Sequence, residues 1–178
     1  MRITGGKFLN RKLEVYKKGV RPTTDFVREA LFSSLGDIRN YDILDLFGGS
    51  GALTIESISR GANSATIIEQ NYSVLSVIKR NLNLLKIENV KLLKADSLRF
   101  IKKEKRKFDL IFIDPPYSKE EFYPLLLSII EKRALLKDNG RVICEMSASF
   151  EFKNENYDII KNKKYGSSRI IIFKLKIE

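Results

Sequence analysis

The chain has 178 residues, 43% of them hydrophobic with 11 Phe and 7 Tyr, enough to fill one core and too few for two large domains. Its 33 Lys and Arg against 22 Asp and Glu leave a net charge of +11 and a pI near 9.7, so an anionic partner is expected, nucleic acid first. With no His and one Cys, it lacks the parts of a Ser-His-Asp or Cys-His nucleophile, a His-liganded metal or a multi-Cys cluster, and no metal is expected.

Residues 1–23 are expected to form a small basic β-arm, with 24–178 as the main domain. Arg2 to Thr4 and Phe8 to Tyr16 look extended, and Gly5-Gly6 and Lys17-Lys18-Gly19 are turn signals. Eight cations (Arg2, Lys7, Arg11, Lys12, Lys17, Lys18, Arg21, Arg28) face only Glu14 and Asp25, placing more than half of the net charge in the first 28 residues. From Thr24 the 3.6-residue spacing of Val27, Ala30, Leu31 and Leu35 predicts a helix, capped by Thr24 and ended by Gly36. Short apolar runs then alternate with amphipathic segments: Ile43 to Phe47, Ala52 to Arg60, Ala65 to Glu69, Ser73 to Lys86, Val90 to Ala95, Phe108 to Ile113, Glu120 to Leu136 and Arg141 to Glu145. Such alternation predicts an α/β, Rossmann-like parallel sheet with helices on both faces. The tail departs from it, because Tyr157 to Lys163 and Arg169 to Ile177 flank the hairpin signal Tyr165-Gly-Ser-Ser168, predicting an antiparallel pair at the sheet edge. Cys144 lies in the apolar run Arg-Val-Ile-Cys-Glu and reads as a buried structural thiol. The longest charge-free stretch, Leu46 to Ile55, is too short to span a membrane, and no apolar signal core opens the chain. A cytoplasmic monomer without a membrane partner is the expectation.

The strand Ile43 to Phe47 runs into Gly48-Gly49-Ser50-Gly51 and a helix, the geometry of a nucleotide-type site at the carboxyl end of a parallel strand. Thr54 stands where a dinucleotide loop has its last glycine, and no Gly-Lys-Ser/Thr follows for a phosphate loop. Acids end successive strands: Asp45, Glu69, Asp96 and Asp114. Glu69 is placed to accept hydrogen bonds from ribose hydroxyls, and Asp96 with Ser97 to pair with an adenine amino group. Asp45 beside the loop repels a pyrophosphate and suits a cation, which favours S-adenosylmethionine over NAD. Phe47 to Gly51 would lie under that cofactor.

Asp114-Pro115-Pro116-Tyr117 follows a buried strand directly, and paired prolines make a stiff turn. A base amino group is a poor nucleophile, since its lone pair is delocalised into the ring. The Asp114 carboxylate and the Pro115 carbonyl can each accept one N–H and so steer that lone pair, while Tyr117 stacks on the base for about 1–3 kcal/mol. The residues alone leave open a DNA amino-methyltransferase acting on N6 of adenine or N4 of cytosine, or an inactive RNA-binding module.

Asp45-Leu-Phe-Gly-Gly-Ser-Gly51 with Asp114-Pro-Pro-Tyr117 resembles the amino-methyltransferase branch of the class I S-adenosylmethionine-dependent methyltransferases. The opening Arg2-Ile-Thr-Gly-Gly-Lys7, the segment from Arg21 to Phe32 and the closing Tyr165-Gly-Ser-Ser168 resemble the bacterial 16S ribosomal RNA (guanine-N2) methyltransferase D family. Gly49 stands where Ala is expected in that family, and Tyr117 where Phe is also found. The resemblance implies a seven-stranded sheet with an antiparallel last strand, and methyl transfer to N2 of a guanine in 16S ribosomal RNA or the small ribosomal subunit. It also brings Arg21, Thr23 and Arg28 to the cofactor and substrate. Together with Arg2, Lys7, Arg11 and Lys12 these are the expected RNA-binding residues; Lys102 to Lys107 is a weaker candidate.

Overall fold

The computed structural model describes residues 1–16 and 23–176. Helix α1 (Asp25–Leu35) starts where Thr24 accepts the Val27 N–H at 3.3 Å and stops at Gly36, whose φ of +70° only glycine adopts freely. Strands and helices then alternate as β1 (Asp42–Asp45), α2 (Ala52–Ser59), β2 (Ser64–Glu69), α3 (Tyr72–Leu84), β3 (Val90–Lys94), α4 (Ser97–Ile101), β4 (Phe108–Ile113), α5 (Phe122–Lys132) and β5 (Leu136–Ser147). The chain closes with β6 (Tyr157–Tyr165) and β7 (Ser168–Leu175), joined through Gly166 in the left-handed region.

The seven strands form one sheet in the order β3-β2-β1-β4-β5-β7-β6. Only β7 runs against its neighbours, inserted antiparallel between β5 and β6, so the expected antiparallel last strand is present. Alternate residues of each strand feed opposite faces. Leu44, Ile111, Ile113 and Cys144 pack with α5 on one side, whereas Ile43, Leu110, Phe112 and Ile143 pack against α1 on the other. Helices α2 and α3 share the α1 side. Cys144 is fully buried, as expected. Among the described residues no helix is long and apolar enough to cross a membrane.

Several boundaries differ from the sequence expectation, β5 among them, which spans Leu136–Ser147 where Arg141 to Glu145 was expected. The amphipathic stretch expected to Leu136 stops at Lys132, because Ala134 takes a φ of +51° and the backbone turns into β5. The arm, expected as extended segments, holds a single bridge between Arg2 and Lys12 and a 3-10 turn at Gly6–Phe8. Contact with α2 imposes that turn: Gly6 sits at φ +77°, and a Cβ there would fall 1.9 Å from the Ser59 carbonyl oxygen. Ile3 and Leu13 of the arm are buried with Ile55, Ile67 and Ile78, so arm and body share one apolar cluster.

A buried ion pair fastens this arrangement. Arg28 of α1 and Glu56 of α2 both have wholly buried side chains, with Arg28 Nε donating to Glu56 Oε2 at 3.3 Å. The rest of the guanidinium donates to the Thr23 carbonyl at 2.9 Å, to the Arg2 carbonyl and to Asp25 at 2.9 Å. Glu56 in turn accepts the Thr4 N–H at 3.1 Å, the Thr4 hydroxyl and Arg60 at 3.0 Å. Burial therefore removes Arg28 from the expected RNA-binding set: its donors are spent on the fold. Removing one partner of such a pair strands the other in a low-dielectric interior. Arg28→Ala is expected to cost about 3 kcal/mol or more in urea denaturation; a loss below about 1 kcal/mol, the scale of an exposed pair, would contradict the clasp.

Candidate active site

Three carboxyl groups gather at the carboxyl ends of β1 and β4 and beside them on β5, which runs on to Ser147. Asp45 pairs in register with Phe112, and Ile113 with Cys144, which sets Asp45, Asp114 and Glu145 across three adjacent strands. By strand alternation Asp45 and Glu145 share the face of Ile43 and Ile143, the side covered by α1 and α2. Asp114 lies between them: its carboxyl is raised well above the ordinary aspartate range by burial, then by the charges of Glu145 and Asp45. Among the described residues nothing hydrogen-bonds the Asp114 side chain. Pro115 behind it is buried and Pro116 exposed. The chain then enters a 3-10 turn at Tyr117–Lys119, where the Lys119 N–H reaches the Pro116 carbonyl at 2.8 Å. The side chain of Tyr117 and the whole of Arg21 lie outside the described residues.

The flanking acids are held. Thr54 of α2 donates to Asp45 at 2.9 Å and the Phe47 N–H to its other oxygen at 3.3 Å, yet burial, followed by the Glu69 charge, raises the Asp45 carboxyl to about 6. Thr23 donates its hydroxyl to Glu145 at 2.5 Å, and Tyr123 donates to the Glu145 backbone carbonyl.

The glycine loop is shaped by close packing on one side and openness on the other. Gly48 donates to the Ile68 carbonyl at 2.9 Å, and a Cβ on it would fall 2.6 Å from Ile67 and 3.0 Å from Ile78. A Cβ on Gly49 would instead meet only the Phe47 carbonyl at 3.7 Å. Gly51, at φ +74°, opens α2, and the Ser50 hydroxyl accepts the Ala52 N–H at 3.3 Å. Glu69 at the end of β2 accepts the Gly49 N–H at 3.2 Å and the Asn71 N–H at 2.7 Å, bringing its carboxylate onto the loop. Phe47 is half-buried against the α5-side core.

Other expected site residues do structural duty. Asp96 caps α4 through the Arg99 N–H at 2.9 Å, and the buried Ser97 hydroxyl donates to the Leu46 carbonyl, bracing the loop from beneath. Arg2, Lys7, Arg11 and Lys12 expose their side chains on the arm. Sequence reasoning passed over Glu145, although the signal it used elsewhere, an acid at a strand end, is present in Arg-Val-Ile-Cys-Glu.

A protein family described as Conserved hypothetical protein 95 matches residues 1–174. Ribosomal RNA small subunit methyltransferase D of Escherichia coli (strain K12) is 38% identical over 158 residues, covering 88% of this chain and 76% of that one. The solved structure of Escherichia coli yhhF, described as a methyltransferase, superposes with a TM-score of 0.89 at 31% identity, covering 100% and 99% of the two chains. A more distant neighbour, 17% identical with a TM-score of 0.69 over 94% of this chain and 52% of that one, was solved with SAH and shares the fold. The fold is thus that of the class I methyltransferases.

A raised acid is protonated more readily in the folded chain than in the unfolded one, so its contribution to stability is lost as pH rises through the folded value. Asp45→Asn is therefore expected to raise the unfolding free energy measured in urea at pH 7.5 by up to about 2–3 kcal/mol, an advantage that falls to about half at pH 5 and is gone below pH 3.8. Equal destabilisation at both pH values would contradict the buried-charge assignment.

Proposed function

The chain belongs to the ribosomal RNA small subunit methyltransferase D family, and from that premise we propose that it transfers the methyl group of S-adenosylmethionine to N2 of a guanine in small-subunit ribosomal RNA. The observation carrying this reading is Asp114, set on a stiff Pro-Pro turn between two further carboxyl groups and one strand away from the glycine loop.

The residues present fit the cofactor. Glu69, already turned onto the loop, has the acceptor oxygens a ribose diol needs, and the open space over Gly49 admits a ligand against the backbone. Asp45, destabilised by burial, gains from any nearby cation, which suits an ammonium or sulfonium and disfavours a phosphate. When bound, S-adenosylmethionine supplies an electrophilic methyl: the N2 lone pair forms the new N–C bond, the C–S bond breaks with its electrons kept by sulfur, and N2 then sheds a proton.

Asp114 and the Pro115 carbonyl accept the two N2–H bonds and fix the lone pair on one side of the base. Donors from the base also relieve the repulsion among the three carboxyl groups, so the site is electrostatically prepared for an N–H-rich edge. Guanine leaves its stack to enter, at a cost of a few kcal/mol, offset by backbone contacts. Arg2, Lys7, Arg11 and Lys12, with Arg21 beside them in sequence, supply the phosphate-binding charge.

Asp114→Ala should abolish methyl transfer to small ribosomal subunits while cofactor binding, read by calorimetry, stays within a few-fold of the parent. Because Asp114 works as the ionised acceptor and its value is raised, the parent's kcat/KM should fall on acidification well above the ordinary aspartate range of 3.8. Retained turnover by the variant, or an acid limb near 4, would reject Asp114 as the amino-group acceptor.

A further inference from the structure

Glu145 has no part in the reaction described so far, yet it occupies the third place in the carboxyl row. It follows Cys144, the register partner of Ile113, and so stands beside Asp114 on the neighbouring parallel strand, about 4.8 Å away in strand spacing. Its backbone is pinned by Tyr123 from α5 and its carboxylate by the Thr23 hydroxyl at 2.5 Å from the start of α1. Two elements from opposite faces of the sheet thus hold one acid next to another. A second acid at that position works against the ionisation of Asp114, since its charge is the first of the two that raise Asp114 after burial itself. That electrostatic cost falls when N–H donors arrive together at both groups.

Guanine is the base that brings them. Its Watson–Crick edge sets N1–H directly beside the N2 amino group, giving adjacent donors. Adenine and cytosine set a bare ring nitrogen, an acceptor, beside their amino groups. A carboxylate facing that nitrogen is repulsive, and a site built around a substrate N–H rejects the analogue lacking it.

We propose that Glu145 accepts N1–H of the target guanine while Asp114 accepts N2–H, making Glu145 the residue that selects guanine over adenine. This rests on the methyltransferase reading above and adds the base-selecting group to it. Thr23 is then a positioning residue: it aims the Glu145 carboxylate and acts on the base only through it.

The test first maps the guanine that the parent protein modifies. Small subunits are then reconstituted with transcribed 16S RNA carrying guanine or adenine at that position, and the modified nucleosides are identified by mass spectrometry. Glu145→Gln should lose about 10- to 100-fold in kcat/KM on guanine, because a neutral amide replaces a charged acceptor. On the adenine transcript it should yield N6-methyladenine, which the parent does not, since the amide N–H can meet adenine N1. Thr23→Val should slow the guanine reaction without changing base choice, and unchanged melting and cofactor affinity in both variants would show that the site is intact. If Glu145→Gln stays as selective for guanine as the parent and slows no more than Thr23→Val, Glu145 is only a tether and the inference fails alone. If the parent makes no N2-methylguanine, the methyltransferase reading fails and takes the inference with it.

Discussion

Three carboxyl groups brought together on adjacent strands and on one face, Asp45 buried and Asp114 and Glu145 half-buried, are the constraint from which the rest of the structure follows. The parallel register of β1, β4 and β5 fixes their spacing, with Asp45 ending β1, Asp114 following β4 and Glu145 lying two residues before β5 ends at Ser147. Burial raises Asp114 most, and the charges of Glu145 and then Asp45 raise it further, while Asp45 is itself raised by burial and then by Glu69. Such a row disfavours the empty folded state, and its use lies in what relieves it. On the proposed reading a cation meets Asp45 and a base edge rich in N–H donors meets Asp114 and Glu145, so one electrostatic feature serves both ligands.

Holding that row together requires groups that are themselves held. Thr54 and Thr23 donate to the two outer acids, and both sit on elements tied by the buried Arg28–Glu56 pair, Thr54 on α2 and Thr23 just before α1. The same pair draws in the arm through Arg2 and Thr4, so charge outside the site is linked by hydrogen bonds to charge within it. A buried ion pair is a poor source of net stability. Its value here is geometric, since five partners converge on Glu56 and Arg28 from the arm, α1 and α2.

Much of this was readable in the chain because its signals are local. Thr24 and Gly36 bracket α1 by capping chemistry that spans three or four residues, and the apolar runs that became β1 to β4 are bounded by acids, glycines and prolines. The loop from Gly48 to Gly51 and the turn at Pro115-Pro116 were legible for the same reason. What escaped was set by partners far away in sequence. Arg28 reads as one more arm cation until Glu56, 28 residues on, is seen to bury it. For Ser97 the partner that the sequence did not show is the Leu46 carbonyl, 51 residues away, while Asp96 gives one oxygen to the start of α4. Glu145 was passed over because its strand was read for its thiol, and its meaning depends on the register of β4 with β5, which no local pattern states.

The central claim is that Asp114 stays protonated well above a normal aspartate because it is buried and then because its neighbours Glu145 and Asp45 are carboxylates, and it can be measured residue by residue. Carbon-13 labelling of aspartate carboxyl groups permits a pH titration of the free protein by NMR, with Asp37, held at about 2 by Arg39, as an internal reference. The expected trace shows Asp114 inflecting well above 3.8 and moving down when Glu145 is replaced by Gln. An Asp114 that titrates with ordinary exposed aspartates, indifferent to that replacement, would contradict the account.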